Sequence, residues 1–158
     1  MLGQGAFGKV FLGELVGSSE QFAIKTMRKD KLAEKPDKIK TVFLERNLLS
    51  YIDHPFLANM QYYFVTEERL YFIMSFIGGG EMSMMLKAEV KFNERMIKFY
   101  ATQLVLGIKH LHENDIMHRD LKLSNLMINT DGFLKIVDFG LARVLRHGQF
   151  ATSIVGTS

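Results

Sequence analysis

Three consecutive glycines, Gly78 to Gly80, divide this sequence into two parts of different character, and no other feature constrains the fold as much. Before the glycines, short runs rich in Val, Ile, Phe and Tyr predict strands, and a helical pattern interrupts these runs once. The strands are expected at 9–15, 21–27, 61–66 and 69–76, and the helix at 37–51 with Phe43 on its apolar face. We therefore predict an antiparallel sheet with one helix packed on it.

After the glycines the pattern becomes helical. Apolar residues recur every three or four positions and Asn93 is a suitable N-cap, which predicts a long helix over 93–114. Two short strands at 126–128 and 134–137 are joined by a turn that contains Asp-Gly. The sequence thus predicts an α+β fold of two lobes joined by a hinge. The predicted bounds are 1–76 for the first lobe, 77–81 for the hinge and 82–158 for the second lobe.

The composition is that of an ordinary globular chain. It has 158 residues, 47% of them apolar, and its 20 Lys and Arg residues only slightly outnumber its 17 Asp and Glu residues. So small a positive excess gives no indication of a nucleic-acid partner. The absence of cysteine excludes disulfides and cysteine-bound metals, and the longest apolar stretch, 70–77, is far shorter than a membrane span. We expect a protein of the cytoplasm or the nucleus.

The segment 3–10 reads GQGAFGKV and fits the pattern G-x-G-x-x-G-x-V. Its glycines, Gly3, Gly5 and Gly8, let the backbone approach an anion, and the amide groups can then point at phosphate oxygens. The same pattern also fits a plain hairpin turn. Because a strand-like run rather than a helix follows Gly8, a phosphate lid is favoured over a dinucleotide site.

A single lysine, Lys25, ends the apolar run 22–25, where burial of its charge requires an anionic partner. Glu34 and Glu45 are both within reach as that partner, and the lysine could instead extend to solvent. A pair with Glu45 would fix the ammonium group against a phosphate.

The most specific motif is the segment 118–125, which reads HRDLKLSN and is followed by DFG at 138–140. Asp120 can accept the proton of a hydroxyl group, and Lys122 can neutralise a phosphoryl group during its transfer. Asn125 and Asp138 offer the oxygen ligands that Mg²⁺ prefers. These residue types at this spacing predict phosphoryl transfer.

With these motifs in this order, the chain resembles the catalytic domain of eukaryotic protein kinases and, within them, the AGC group of Ser/Thr kinases. The resemblance to the group rests on GGEM at 79–82, HPFL at 54–57 and DFGLA at 138–142. Lys122, just after the HRDL run, favours Ser/Thr over Tyr specificity. The resemblance implies a bilobal kinase fold that uses ATP and Mg²⁺ to phosphorylate Ser or Thr of protein substrates, with an upstream kinase as an activating partner.

The resemblance also assigns residues to the nucleotide. Those implied to contact ATP are Gly3, Gly5, Gly8, Val10, Ala23, Lys25, Met74, Ser75, Ile77, Glu81 and Met127. Ala23 and Met127 would enclose the adenine, Met74 would be the gatekeeper, and the backbone of 75–77 would meet the adenine edge. Glu81 would contact the ribose.

The remaining implied roles concern the phosphates, the metal and the substrate. Lys25, paired with Glu45, would hold the α- and β-phosphates, and Lys122 would lie beside the γ-phosphate. Asn125 and Asp138 would bind the metals, and Asp120 would orient the substrate hydroxyl. Ser153 is implied as a phosphorylation site read by Arg119 and Arg143, and Thr152 is the competing site.

The sequence departs from the family pattern at two points. Leu123-Ser124 stands where basophilic relatives have Pro-Glu, which weakens the inference of basic substrates, and Thr41 stands where some relatives have a histidine that contacts the phosphosite. The family domain is also longer, so we expect residues 1–158 to be its first part and to be inactive alone. The alternative reading is a non-catalytic module that binds nucleotide or partner proteins. A kinase of small molecules would usually lack Arg119 and Lys122.

Overall fold

The computed structural model describes residues 1–4, 8–88 and 91–145, with the backbone alone for 36–38. In chain order its elements are β1 (Gly3–Gln4), β2 (Gly8–Glu14), β3 (Gln21–Arg28), α1 (Lys29–Ala33), α2 (Pro36–Tyr51), β4 (Met60–Val65), β5 (Arg69–Ser75), α3 (Met82–Lys87), α4 (Glu94–Glu113), β6 (Ile116–Met117), a 3₁₀ turn (Leu123–Asn125), β7 (Leu126–Ile128), β8 (Leu134–Ile136) and β9 (Arg143–Val144). They form two compact units. The first contains Met1–Ile52 and Asn59–Phe76, and the second contains Asp53–Ala58 and the chain from Ile77 onward.

The first unit is built on a five-stranded antiparallel sheet with the strand order β1-β2-β3-β5-β4. The central strand β3 pairs antiparallel with β2 on one side and with β5 on the other, and its Met27 is 1% exposed. The antiparallel sheet is therefore confirmed. The unit contains two helices rather than one, because the short helix α1 directly follows β3 and its Leu32 is buried.

The buried face of α2 differs from the predicted one. Val42, Leu48 and Leu49 are buried, but Phe43 is 45% exposed. Phe43 lies one position, or about 100°, around the helix from Val42, which turns it away from the buried face. The guanidinium group of Arg46 lies 5.9 Å from the centre of the Phe43 ring and partly shields it from water.

The second unit is organised around the long helix α4. The side chain of Asn93 accepts a hydrogen bond from Met96 N at 2.9 Å, as expected of the predicted N-cap. Gln103, Gly107 and Leu111 form the buried stripe of the helix. The strands β7 and β8 pair as the predicted hairpin. Among the described residues, no helix combines the length and the apolar character needed to cross a bilayer.

The segment 53–58 departs from the predicted lobe 1–76, because it belongs to the second unit. Its Leu57 forms a parallel bridge with Ile136 of β8. The backbone hydrogen bonds from Ala58 N to Ile136 O and from Ile136 N to Phe56 O are both 2.9 Å long. Leu57 is fully buried there. A local pattern could not predict this placement, since the partner strand lies far ahead in the sequence.

Candidate functional site

The first unit presents four of the predicted nucleotide residues on one face of its sheet. The register pairs Val10 with Lys25 and Ala23 with Met74. Directly opposed residues of antiparallel strands point to the same side, as do residues two apart on one strand. Val10, Ala23, Lys25 and Met74 therefore share a face.

Two glycines of the segment 3–10 are described: Gly3 lies in the edge strand β1 of the same sheet, and Gly8 begins β2. Gly3 pairs with Val10 across β1 and β2. A Cβ atom at Gly8 would lie 1.8 Å from Thr26 O, so side-chain bearing residues are excluded there whether or not a phosphate binds. Gly5 lies outside the described residues.

Lys25 forms an ion pair with Glu45 of α2. The distance from Lys25 Nζ to Glu45 Oε1 is 2.5 Å, and the two side chains are 26% and 6% exposed. The other candidate partner, Glu34, pairs instead with Lys31 at the end of α1. The nearly buried carboxylate of Glu45 thus holds the ammonium group of Lys25 at a fixed place on the sheet face.

The residues around the predicted hinge divide between the units. Ser75 ends β5, and its hydroxyl accepts a hydrogen bond from Gln61 Nε2 at 2.9 Å. Ile77 is the first residue of the second unit after β5. Further on, Glu81 forms an antiparallel bridge with Met127, so that two of the predicted nucleotide residues are neighbours within this unit.

Asp120 is held by two other residues of its own motif. Its side chain is 9% exposed, and Oδ2 lies 2.9 Å from Lys122 Nζ. Asn125 Nδ2 donates to the backbone oxygen of Asp120 at 2.8 Å and to Oδ2 at 3.1 Å. The carboxylate orientation is therefore fixed by both a cation and an amide.

His118 connects this motif to Val137, the residue directly before Asp138. Its Nδ1 accepts from Asp120 N at 3.3 Å, so the proton of the neutral ring must be on Nε2, which donates to Val137 O at 3.1 Å. Burial lowers the pKa of His118, which favours this neutral form. Sequence reasoning did not assign His118 this role. Its place two residues before Asp120 is the only signal in the sequence that could have indicated it.

Asn125 and Asp138 are brought together by a backbone hydrogen bond from Val137 N to Asn125 O at 3.0 Å. Because Nδ2 of Asn125 donates to Asp120, its Oδ1 is the atom left to serve as a metal ligand. The Asp138 side chain supplies carboxylate oxygens, one of which accepts from Gly140 N at 3.2 Å. An amide oxygen and a carboxylate suit Mg²⁺, which takes its other ligands from phosphate and water. No group of three or more His, Cys, Asp or Glu suited to a metal occurs in the described ranges.

Two residues of this region have a left-handed backbone conformation. The φ angle is 66° at Arg119 and 61° at Asp138. Such angles are unfavourable for residues other than glycine, and the surrounding hydrogen bonds must stabilise them. At Arg119 one such bond is the donation from Nε to Leu141 O at 2.7 Å.

The arginines predicted to read a phosphoserine lie near the small sheet of β6 and β9. Met117 of β6 pairs with Arg143 of β9, and Arg119 follows two residues after Met117. Ser153 and Thr152 lie outside the described residues.

Comparison with known proteins gives matches along the entire chain. Residues 1–158 match the family model described as protein kinase domain. The chain is 40% identical over 158 residues to serine/threonine-protein kinase AtPK2/AtPK19 of Arabidopsis thaliana, covering all of this chain and 33% of that protein. It is 40% identical over 161 residues to ribosomal protein S6 kinase alpha-1 of Homo sapiens, covering 99% of this chain and 22% of the relative. Over 157 residues it is 36% identical to protein kinase 2 of Dictyostelium discoideum, covering 99% of this chain and 33% of the relative.

The chain thus spans a third or less of the length of these relatives. The ribosomal S6 kinases among them are AGC-type, in agreement with the group that the motifs predict. Protein kinases in general use ATP and a divalent metal. A family match from the first residue to the last, on a chain whose fold and motifs agree with it, shows that this chain belongs to the protein kinase family.

Proposed function

We propose that this protein transfers the γ-phosphoryl group of ATP to the hydroxyl group of Ser or Thr in protein substrates. The observation that carries the proposal is the fixed carboxylate of Asp120, held by Lys122 at 2.9 Å and by Asn125 at 3.1 Å. A carboxylate in a fixed orientation beside a cation is suited to orient a hydroxyl group and accept its proton.

The proposed reaction is one displacement at phosphorus. The substrate hydroxyl oxygen forms a bond to the γ-phosphorus, and the bond from this phosphorus to the β–γ bridging oxygen breaks. The hydroxyl proton passes to Asp120, and ADP leaves with the electron pair of the broken bond. Lys122 would stabilise the negative charge of the transferred group, so that the protein would act mainly by positioning and by electrostatics.

Lys25, Asn125 and Asp138 are the residues that would bind the polyphosphate. Lys25, fixed by Glu45, would contact the α- and β-phosphates with its ammonium group. Asn125 and Asp138 would hold Mg²⁺, which when bound neutralises phosphate charge. Lys25 and the metal held by Asn125 and Asp138 would each attract the phosphates, and none of these residues has to form a covalent bond.

Activation by phosphorylation is part of the same proposal. Arg119 and Arg143 would together bind a phosphate on Ser153, since two guanidinium groups form strong charge-assisted bonds with a phosphate dianion. An upstream kinase would be the partner that adds this phosphate. The support is the register of β6 and β9, which brings the chain around both arginines together.

The test is phosphotransfer by the purified full-length protein with Mg·ATP and a mixture of Ser/Thr peptides. Asp120→Asn is expected to lower kcat by about 10²-fold or more, because an amide cannot accept the proton. Asp131→Asn is the matched control. Asp131 is an exposed turn residue whose carboxylate accepts from Phe133 N, an interaction that asparagine can keep.

Two results would contradict the proposal. If Asp120→Asn had the same kcat as the wild type, Asp120 would not be the group that accepts the hydroxyl proton. A wild-type protein that binds Mg·ATP but transfers no phosphate, even after phosphorylation of Ser153, would instead support a non-catalytic nucleotide-binding module.

A further inference from the structure

The carboxylate of Glu81 is held by a neighbour that none of the motifs includes. Ser83 Oγ donates a hydrogen bond to Glu81 Oε2 at 2.8 Å. A serine hydroxyl has one proton to donate, and in this structure the acceptor is Glu81. Both side chains are half-buried, so the bond is partly shielded from competing water.

Glu81 is also fixed through its backbone. It is the N-cap residue of α3, and its carbonyl oxygen accepts from Met84 N and Met85 N. On the preceding side, Gly80 O accepts from Ile128 N at 2.9 Å. A Cβ atom at Gly79 would lie 2.4 Å from Ile128 O, so this close approach to β7 requires glycine. The backbone of Glu81 is thus anchored against Met127 and Ile128.

The side chain of Glu81 does not serve the helix that it begins. N-cap side chains commonly accept hydrogen bonds from the first N–H groups of their helix, but Glu81 makes no such bond. Its Oε1 also has no hydrogen bond within the part of the chain that the structure describes. One carboxylate oxygen therefore accepts the proton of Ser83, and the other is left as an acceptor.

We propose that Ser83 is a positioning residue, which holds the carboxylate of Glu81 so that Oε1 can accept a hydrogen bond from a ribose hydroxyl of the nucleotide. The inference rests on the proposed function and extends it to a residue outside the motifs. A ribose is favoured over a substrate guanidinium because Glu81 bridges to Met127, which the resemblance to protein kinases implies to be an adenine contact. A hydroxyl bonded to a carboxylate also discriminates strongly against an analogue that lacks it.

The test compares the Kd values of ATP, 2′-deoxy-ATP and 3′-deoxy-ATP for the full-length protein, by calorimetry in the presence of Mg²⁺. The wild type should bind ATP about tenfold or more tightly than one of the two analogues. In Ser83→Ala this ratio should fall by at least about threefold, with little change in the Kd of that analogue. Ser83→Thr, which keeps the hydroxyl, should restore the ratio to within about twofold of the wild type.

The controls separate positioning from folding. Alanine is a better helix former than serine, so Ser83→Ala should fold normally. Ser50→Ala removes another helical hydroxyl, which donates to Arg46 O at 2.6 Å, and should leave the ratio unchanged. A merely structural role of Ser83 would weaken the binding of all three nucleotides equally.

An unchanged ratio in Ser83→Ala would overturn the inference, as would a wild type that binds the three nucleotides equally. If the wild type binds the three nucleotides equally and Ser83→Ala loses affinity for arginine-containing peptides, Glu81 contacts the protein substrate instead of the ribose. These measurements report nucleotide binding and do not require phosphotransfer. A failure of the proposed function would appear as absent phosphotransfer, so the two failures can be told apart.

Discussion

Lys25 and Glu45 form an ion pair whose two members differ in exposure. The Glu45 side chain is 6% exposed and that of Lys25 is 26% exposed. Removal of the lysine alone leaves a carboxylate where little water can solvate it, whereas removal of both charges leaves no ion to solvate. Removing the lysine alone should therefore cost more stability than removing both charges.

Lys25→Met is expected to lower the free energy of unfolding by about 1–3 kcal/mol, because it leaves the Glu45 carboxylate unsatisfied. Combining it with Glu45→Gln should recover part of this loss, since the amide carries no charge. Urea unfolding of the full-length variants measures both effects. Lys31→Met breaks the exposed pair with Glu34 and, as the control, should change stability by less than about 0.5 kcal/mol. A double variant no more stable than Lys25→Met would contradict the prediction.

His118 should make stability depend on pH. Burial lowers its pKa in the folded protein, while the unfolded chain has a value near 6.5. Because the unfolded chain binds the proton first, the contribution is complete above about pH 6.5 and is lost as the pH falls from there towards the lower folded-state pKa. Protonation of Nδ1 would also break its hydrogen bond with Asp120 N.

The expected contribution of His118 is a loss of up to about 1.4 kcal/mol per pH unit within this window. His118→Phe should be less stable at pH 7 but should show a flatter dependence on pH. Urea unfolding between pH 5 and 8 measures the two slopes. His112→Gln changes an exposed histidine of α4 and should keep the wild-type slope. Equal slopes for His118→Phe and the wild type would show that another group dominates.

At the scale of elements, local sequence patterns predicted the strands and helices that are long enough to show a hydrophobic period. The strands β2, β3 and β5 and the helix α4 all lie within one or two residues of their predicted bounds. Each has enough residues to show a period, and Asn93 marks the start of α4 with a specific capping bond. Elements of this kind can be predicted from their own residues, without knowledge of the rest of the fold.

The elements and contacts that the local patterns did not predict are either very short or depend on distant partners. The strands β6 and β9 have two residues each, and they exist because Ile116 pairs with Val144. The helix α1 has five residues, too few to show a helical period. The motifs predicted which residues to consider for the site, but the choice of Glu45 over Glu34 depends on how α2 packs. No local pattern contains that information.

Gly107 is a close-packing point of α4 and permits a test at this scale. A Cβ atom there would lie 2.9 Å from Ile136 Cδ1 and 3.2 Å from Leu57 Cδ2. Gly107→Val should therefore lower the free energy of unfolding by about 1–3 kcal/mol, although valine is a better helix former than glycine.

The matched control is Ala101→Val, which introduces the same side chain at an exposed position of the same helix. It should cost less than about 0.7 kcal/mol, the range of intrinsic helix propensities. Thermal and urea unfolding of the full-length variants give the comparison. If both substitutions lower the free energy of unfolding equally, close packing at Gly107 is not the reason for the loss.

The whole molecule consists of two units that are interleaved along the chain. The segment 53–58 lies between two parts of the first unit in sequence but packs within the second. Its Leu57 is fully buried and bridges to Ile136. A substitution in this segment should therefore weaken the second unit, contrary to what its position in the sequence indicates.

Leu57→Ala is expected to destabilise the second unit by about 2–5 kcal/mol. Hydrogen exchange of the full-length protein, followed by mass spectrometry of peptides, should show loss of protection in α4 and β8 and much less in β2 and β3. Met27→Ala, at a position of the first unit that is 1% exposed, should give the opposite distribution. Equal loss in both units after Leu57→Ala would contradict the division.

The interleaving also matters while the protein is being made. The strands β2 and β3 can pair soon after they leave the ribosome, but Leu57 must wait for Ile136, about 80 residues later in the sequence. At about 5–20 residues per second, the segment HPFL stays without its partner strand for roughly 4–16 seconds of translation. During this interval the nascent chain presents an apolar stretch next to a sheet that has already begun to form, and this stretch is a ready target for chaperones.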